Sequence, residues 1–344
     1  MRPAIVIASI VAVVVGSIGA LWSFQRTTTQ PIDAPNKLTE ISLRLNGPFG
    51  PQYAGEMVAA RSGFFEREGL HLEFKPGGIE ADLITLVANG VDTFGIARGD
   101  NFLIARSKGA PIVAFAAGYL ESPVVFYALE KSGIHTPQDF IGKRVVRQAG
   151  QDTATIYDAV LANLLISRSQ VREILTATDM AALLNGDVDI WPGYVGKESY
   201  VLQQMGIPFN VIHPSNYGIH VPGTVYFTSE KMIRDHPSLV QKFLRAVIAG
   251  WHLTYADDSI SAPLISAYDE KALTSERVHF ELKAQREFVF PLGRRFTEFD
   301  DRQWKLLRNI LINARLIDDS IDMSKAVRYD FLREAYRKSI SFGN

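Results

Sequence analysis

Polar and aromatic side chains recur in this chain just after segments that read as strands and just before segments that read as helices. That junction is where open α/β sheets hold small ligands. Asn46, Phe49, Gln52 and Tyr53 make the first such group, Arg98, Asp100 and Asn101 the second, and Tyr119 with Ser122 the third. Gln151, Asp152 and Thr153 open an expected helix whose unpaired N–H groups suit a carboxylate, sulfonate or phosphate. Trp191 and Tyr194 follow a later strand, and Glu198 stands beyond them at the start of an expected helix through Val201 and Leu202. Taken singly, each aromatic suits a core better than a site. Their repetition at one kind of position argues for binding.

Motifs for bond-making chemistry are missing. Gly-x-Ser-x-Gly, a phosphate-cradling Gly-rich loop ending in Lys-Ser or Lys-Thr, and His-Glu-x-x-His do not occur in the sequence. The seven histidines are scattered, and the closest two, His213 and His220, lack a carboxylate at ligand spacing, so neither a metal nor another cofactor is expected. There is no cysteine, which excludes disulfides, thiolate zinc sites, a cysteine nucleophile and a lipid-modified cysteine. The 36 basic and 37 acidic residues are interspersed, for a formal net charge of −1. Nucleic acid is not an expected partner, because phosphate-backbone binding needs a basic field.

Alternating strand-like and helical runs from Leu38 onward would hold these residues in an α/β fold with largely parallel sheets. Residues 41–45 alternate as a strand. Gly50-Pro51 then opens a helix with an apolar face at Ala54, Met57, Val58, Phe64 and Phe65, stopped at Gly63. Further strands are expected at 71–74, 93–97, 111–117, 144–147, 188–191 and 224–228. Asp100 is expected to cap a helix running to Ser107, Thr136 to cap another turn, and a helix is expected over 153–166. Beyond residue 228 helical patterns dominate, which places a boundary there. The 344 residues, 47% of them hydrophobic, exceed what a single core usually serves, so two lobes are expected.

An uncharged run from Ala4 to Phe24 precedes all of this. At about 1.5 Å per residue it is long enough to cross a hydrocarbon core of about 30 Å. Arg2 and the small residues Gly19-Ala20 equally suit a cleaved secretory signal. Signal and retained anchor both stand as readings, and with either the chain after Asn36 is exported.

The stretch Leu45 to Gly55, with Ala59 to Leu70 and the Pro76-Gly77-Gly78 turn, resembles the opening of the periplasmic binding proteins for thiamine-precursor pyrimidines. Their superfamily also binds taurine, alkanesulfonates, nitrate and riboflavin. Ser122-Pro123, Asp139 to Val145 and Tyr217-Gly218 resemble later signatures, so Tyr217 joins the candidate ligand residues. The resemblance implies a two-lobed type II periplasmic binding protein with a hinge of two crossover strands and a ligand cleft between the lobes. Lobe one would be 38–122 with 228–344, and lobe two 123–227, after an N-terminal segment 1–37. It implies a monomeric, periplasmic solute-binding component of an ABC importer, working with an inner-membrane permease and tethered by 4–24 if that segment is retained. The ligand would be a thiamine-precursor pyrimidine or similar heteroaromatic, with sulfonate, taurine or nitrate as alternatives. Under this resemblance Glu198 would accept hydrogen bonds from ligand amino groups; as a plain first-turn acid it would contribute about 0.3–1 kcal/mol to its helix. Two other functions are a membrane-anchored sensor or accessory protein and a pyrimidine synthase. The fungal synthases carry a histidine where Gln52 stands, and a cysteine-rich motif. This chain has neither.

Overall fold

A computed structural model describes residues 37–77, 82–148, 151–176 and 179–340, the side chains of 338–340 excepted. The expected export segment and Gly78 lie outside these residues. Ten strands are present among them. β1 (Thr39–Arg44), β2 (Leu70–Lys75), β3 (Phe94–Arg98), β4 (Ile112–Ala117) and β10 (Thr224–Ser229) make a five-stranded sheet in the order β2-β1-β3-β10-β4. β1 runs parallel to both β2 and β3. β10 returns from far down the chain and pairs antiparallel with β3 and β4. Every residue of β4 is buried, as its unbroken apolar run Ile-Val-Ala-Phe-Ala-Ala requires.

A second region forms from β5 (Val124–Leu129), flanked antiparallel by β8 (Trp191–Tyr194) and β9 (Phe209–Ile212). Beside it, β6 (Arg144–Val146) lies parallel to β7 (Arg172–Ile174). The sheets are therefore mixed rather than largely parallel. Two chain segments join the regions and hydrogen-bond to each other: Ser122 N donates to Val221 O at 2.9 Å, Gly223 N to Tyr119 O at 3.1 Å and Gly118 N to Thr224 O at 2.8 Å. These are the two crossover strands of the hinge.

Helices cover the large sheet. Ala54–Arg61 packs on the long helix Pro237–Ala256, at a contact close enough that a Cβ on Gly250 would strike the Gly55 carbonyl and one on Gly55 the Trp251 ring. Gly63 ends the first helix in the left-handed region, at φ 71°, a conformation that glycine adopts without Cβ strain. Phe94 stacks on Phe243 at 4.2 Å beneath the sheet.

Two element expectations need correction. The helix at Gly99–Ser107 takes Arg98, not Asp100, as its N-cap, and Asp100 sits in its first turn. The strand expected at 188–191 begins instead at Trp191, where pairing with Tyr127 sets its register. β5, β7 and β9 are strands that the sequence did not lead us to expect. Thr136 does cap, in a reciprocal capping box with Asp139.

Candidate functional site

The hinge and the strand ends leave a cavity of about 280 Å³. Three larger surface depressions, of about 630, 650 and 400 Å³, contain none of the residues singled out above. Eight of those residues line the smaller cavity: Asn46, Phe49, Gln52 and Tyr53 after β1, Arg98 at the end of β3, Tyr119 in the hinge, Asp152 at the start of helix Asp152–Asn163, and Tyr194 at the end of β8. The wall is completed in part by Lys197, Thr224 and three residues of helix Ser275–Val289, namely Arg277, Glu281 and Gln285.

Hydrogen bonds fix the aromatic surfaces. Tyr53 donates to Asn46 Oδ1 at 2.6 Å. Tyr119 donates to Gln285 Oε1 at 2.7 Å, and Gln285 Nε2 donates to Pro51 O at 2.8 Å, so one glutamine ties the hinge to the first wall segment. Burial pushes the Tyr119 and Tyr53 hydroxyls well above the usual phenol range, which keeps both neutral donors.

Arg98 reaches across from the large-sheet region. Its Nη1 donates to Gln151 Oε1 at 3.3 Å, and its Nε lies 3.3 Å from Asp100 and 3.8 Å from Asp152. Asp152 Oδ1 also accepts from the Tyr194 hydroxyl at 2.6 Å and from Thr153 N at 3.0 Å. Burial, reinforced by the nearby Asp100 charge, pushes the Asp152 carboxyl up to about 6 despite Arg98. Asp100 is buried behind Arg98 and accepts from Thr155 Oγ1 at 3.1 Å.

The remaining candidates are placed elsewhere. Gln151 touches Arg98 without lining the cavity. Ser122 is engaged in hinge pairing, and Thr153 is buried in the first turn of its helix. Trp191 belongs to an apolar cluster with Val125, Tyr127, Leu183 and Leu202, because the first position of β8 faces that core. Glu198 is buried behind the wall, where its Oε2 accepts from Tyr194 N at 2.9 Å. A Cβ at residue 193 would lie 2.7 Å from the Glu198 carboxyl carbon, so Gly193 leaves the space that this brace occupies. Tyr217 lies on a 3₁₀ turn and offers its carbonyl to Asn163 Nδ2 at 2.8 Å, away from the cavity. Sequence reasoning missed Arg277, Glu281 and Gln285, which lie on a C-terminal helix whose pattern resembles any amphipathic surface helix. Among the described residues no group of three or more His, Asp or Glu side chains is placed to hold a metal ion. Among them, too, no helix is long and apolar enough to cross a membrane.

Comparison with known proteins agrees with this architecture. The riboflavin-binding protein RibY of Chloroflexus aurantiacus is 24% identical over 315 residues, covering 87% of this chain and 88% of its own. The 4-amino-5-hydroxymethyl-2-methylpyrimidine phosphate synthase of Legionella pneumophila is 24% identical over 302 residues, covering 86% and 92%. Among solved structures, the periplasmic aliphatic sulphonate binding protein SsuA from Escherichia coli superposes with a TM-score of 0.70 at 16% identity, over 85% of this chain and 92% of that one. Its likeness establishes the two-lobed type II binding-protein fold. Residues 50–259 match the family described as NMT1/THI5 like, and the chain belongs to that family.

Proposed function

We propose that this member of the NMT1/THI5-like family is the extracytoplasmic solute-binding component of an ABC importer. It captures a compact nitrogen heterocycle in the hinge cavity and presents the closed form to an inner-membrane permease. The observation that carries the reading is the convergence of aromatic and hydrogen-bonding side chains from both sides of the hinge on one cavity, with Arg98 bridging to Gln151 and Asp152. A cavity of about 280 Å³ suits a ligand smaller than the drug-sized molecules that fill pockets of roughly 300–1,000 Å³. The lobes in this reading are 38–122 with the C-terminal part of the chain, and the segment from 123 to the return crossing ahead of β10. The protein works as a monomer in the periplasm, and segment 4–24 is its export signal or tether.

A synthase reading draws on the name of the Legionella relative. Against it stand Gln52 on the cavity wall and a chain without cysteine. Calorimetric titration of the purified protein with 4-amino-5-hydroxymethyl-2-methylpyrimidine, riboflavin and ethanesulfonate tests the proposal. One heterocycle bound per chain, recovered unchanged after prolonged incubation, is the expected result. Binding of ethanesulfonate alone, or chemical conversion of the heterocycle, would overturn it.

A further inference from the structure

Glu281 stands out on the cavity wall. It lies on helix Ser275–Val289, it is only 7% exposed, and its side chain lines the cavity. One carboxylate oxygen, Oε1, accepts from Arg277 Nε at 2.6 Å. The other, Oε2, receives no hydrogen bond among the described residues, although the helix offers Arg277 one turn away. That oxygen is open to solvent in the cavity rather than sealed away without a partner, so a donor that enters the cleft can reach it. The other wall carboxylate, Asp152, is already engaged by Tyr194, Thr153 and Arg98.

The wall cations point the same way. Arg277 is matched by Glu281, and Arg98 by Asp100 and Asp152. Lys197, the third, is 62% exposed at its side chain and 4.0 Å from Glu198. An anionic ligand would therefore enter beside carboxylates that already neutralise the arginines, and like charges at close quarters disfavour it. Loop residue Gly196, at φ 91°, packs so near that a Cβ there would lie 3.4 Å from the Glu281 Cα, which seals the acid against the β8 side of the cleft.

We infer that Glu281 is the specificity-determining carboxylate of the cleft: its free oxygen accepts a hydrogen bond from an exocyclic amino group on a neutral heteroaromatic ligand. The inference rests on the reading of the cavity as a ligand cleft and deepens it. A carboxylate is the side chain that pairs with the amino group of a nitrogen base, and a site built around such a bond rejects the analogue that lacks it. Glu198, to which the family resemblance would give this role, serves instead as the brace behind Tyr194.

A protein–ligand cycle tests this. Affinities of the wild-type protein, Glu281→Gln and Glu281→Asp are measured by calorimetry for 4-amino-5-hydroxymethyl-2-methylpyrimidine and for the same molecule with hydrogen in place of the amino group. Wild type is expected to prefer the amino compound at least tenfold. Glu281→Gln should bind both compounds within about threefold of each other while its unliganded melting temperature stays near that of wild type, and Glu281→Asp should restore part of the preference. A purely structural role would weaken both compounds alike, and an equal loss, or a preference undiminished in Glu281→Gln, would overturn the role of Glu281 alone. Failure of the wild-type protein to bind either pyrimidine would overturn the amino-heterocycle class and the inference with it. If Glu281→Gln fails to fold, the Glu281→Asp preference decides: unchanged from wild type or altered for both compounds equally, it counts against the assignment.

Discussion

Tyr226 donates to Glu56 and Tyr194 donates to Asp152, each across 2.6 Å, and burial lifts both carboxyls, to about 7 and about 6. The surroundings differ. Glu56 sits in the large-sheet core, where Trp251 Nε1 donates to the same tyrosine at 3.1 Å, and no cation is among the groups that set its acidity. Asp152 opens on the cavity and faces Arg98 from the other side of the hinge. The same pair thus serves two ends. Enclosed by apolar neighbours it sets stability and its response to pH; at a seam between two regions it fixes a geometry that a ligand can use.

Removing the enclosure should have the largest effect. Trp251→Ala deletes a fully buried indole from the contact between helices Ala54–Arg61 and Pro237–Ala256, and should cost about 3–5 kcal/mol in urea unfolding. A loss below about 1 kcal/mol would mean that the core pair is not sealed as described.

The pH response comes next. The folded protein holds the Glu56 proton up to about pH 7, whereas an unperturbed glutamate releases it near 4.5. Between those values the folded state binds more protons, so stability falls as pH rises, by on the order of 3 kcal/mol from this group. Asp152 acts in the same direction between 3.8 and about 6. Unfolding free energies measured from pH 5 to 8 should fall with pH in the wild-type protein, and Glu56→Gln should remove most of the fall above pH 6. An unchanged slope in that variant would assign the effect elsewhere.

Smallest, and specific to the cleft, is Tyr194→Phe. Asp152 keeps Thr153 N and Arg98, so the unliganded protein should lose less than about 1 kcal/mol. Affinity for 4-amino-5-hydroxymethyl-2-methylpyrimidine should drop about tenfold as the wall loses its anchor. Were stability to fall as far as in Tyr226→Phe with affinity intact, the two pairs would be equivalent.

Much of this architecture was legible in the sequence because local chemistry dictated it. Gly63 had to end a helix, Thr136 could cap a turn, and aromatics after β1 and at the end of β8 reached the cavity. Other parts depended on distant chain. The run Val-Val-Phe-Tyr-Ala-Leu of β5 carries no alternation because both of its faces are buried, so it gave no period by which to recognise a strand. Trp191 and Tyr194 look alike as junction aromatics, and only pairing with β5 sends the first into the apolar cluster. Arg277, Glu281 and Gln285 join the wall through packing of a helix far along the chain, which no spacing rule reports.

The place of β10 has a consequence for how the molecule comes into being. β4 ends at Ala117 and β10 begins at Thr224, yet β10 is the strand that fills the space between β3 and β4. Until β10 has paired, the central sheet exists as two fragments with unpaired edges, one of them a wholly apolar strand. Pairings so far apart in sequence raise contact order and slow folding. The interval leaves sticky edges open to other chains, so this protein should depend on a holding chaperone until its last central strand arrives.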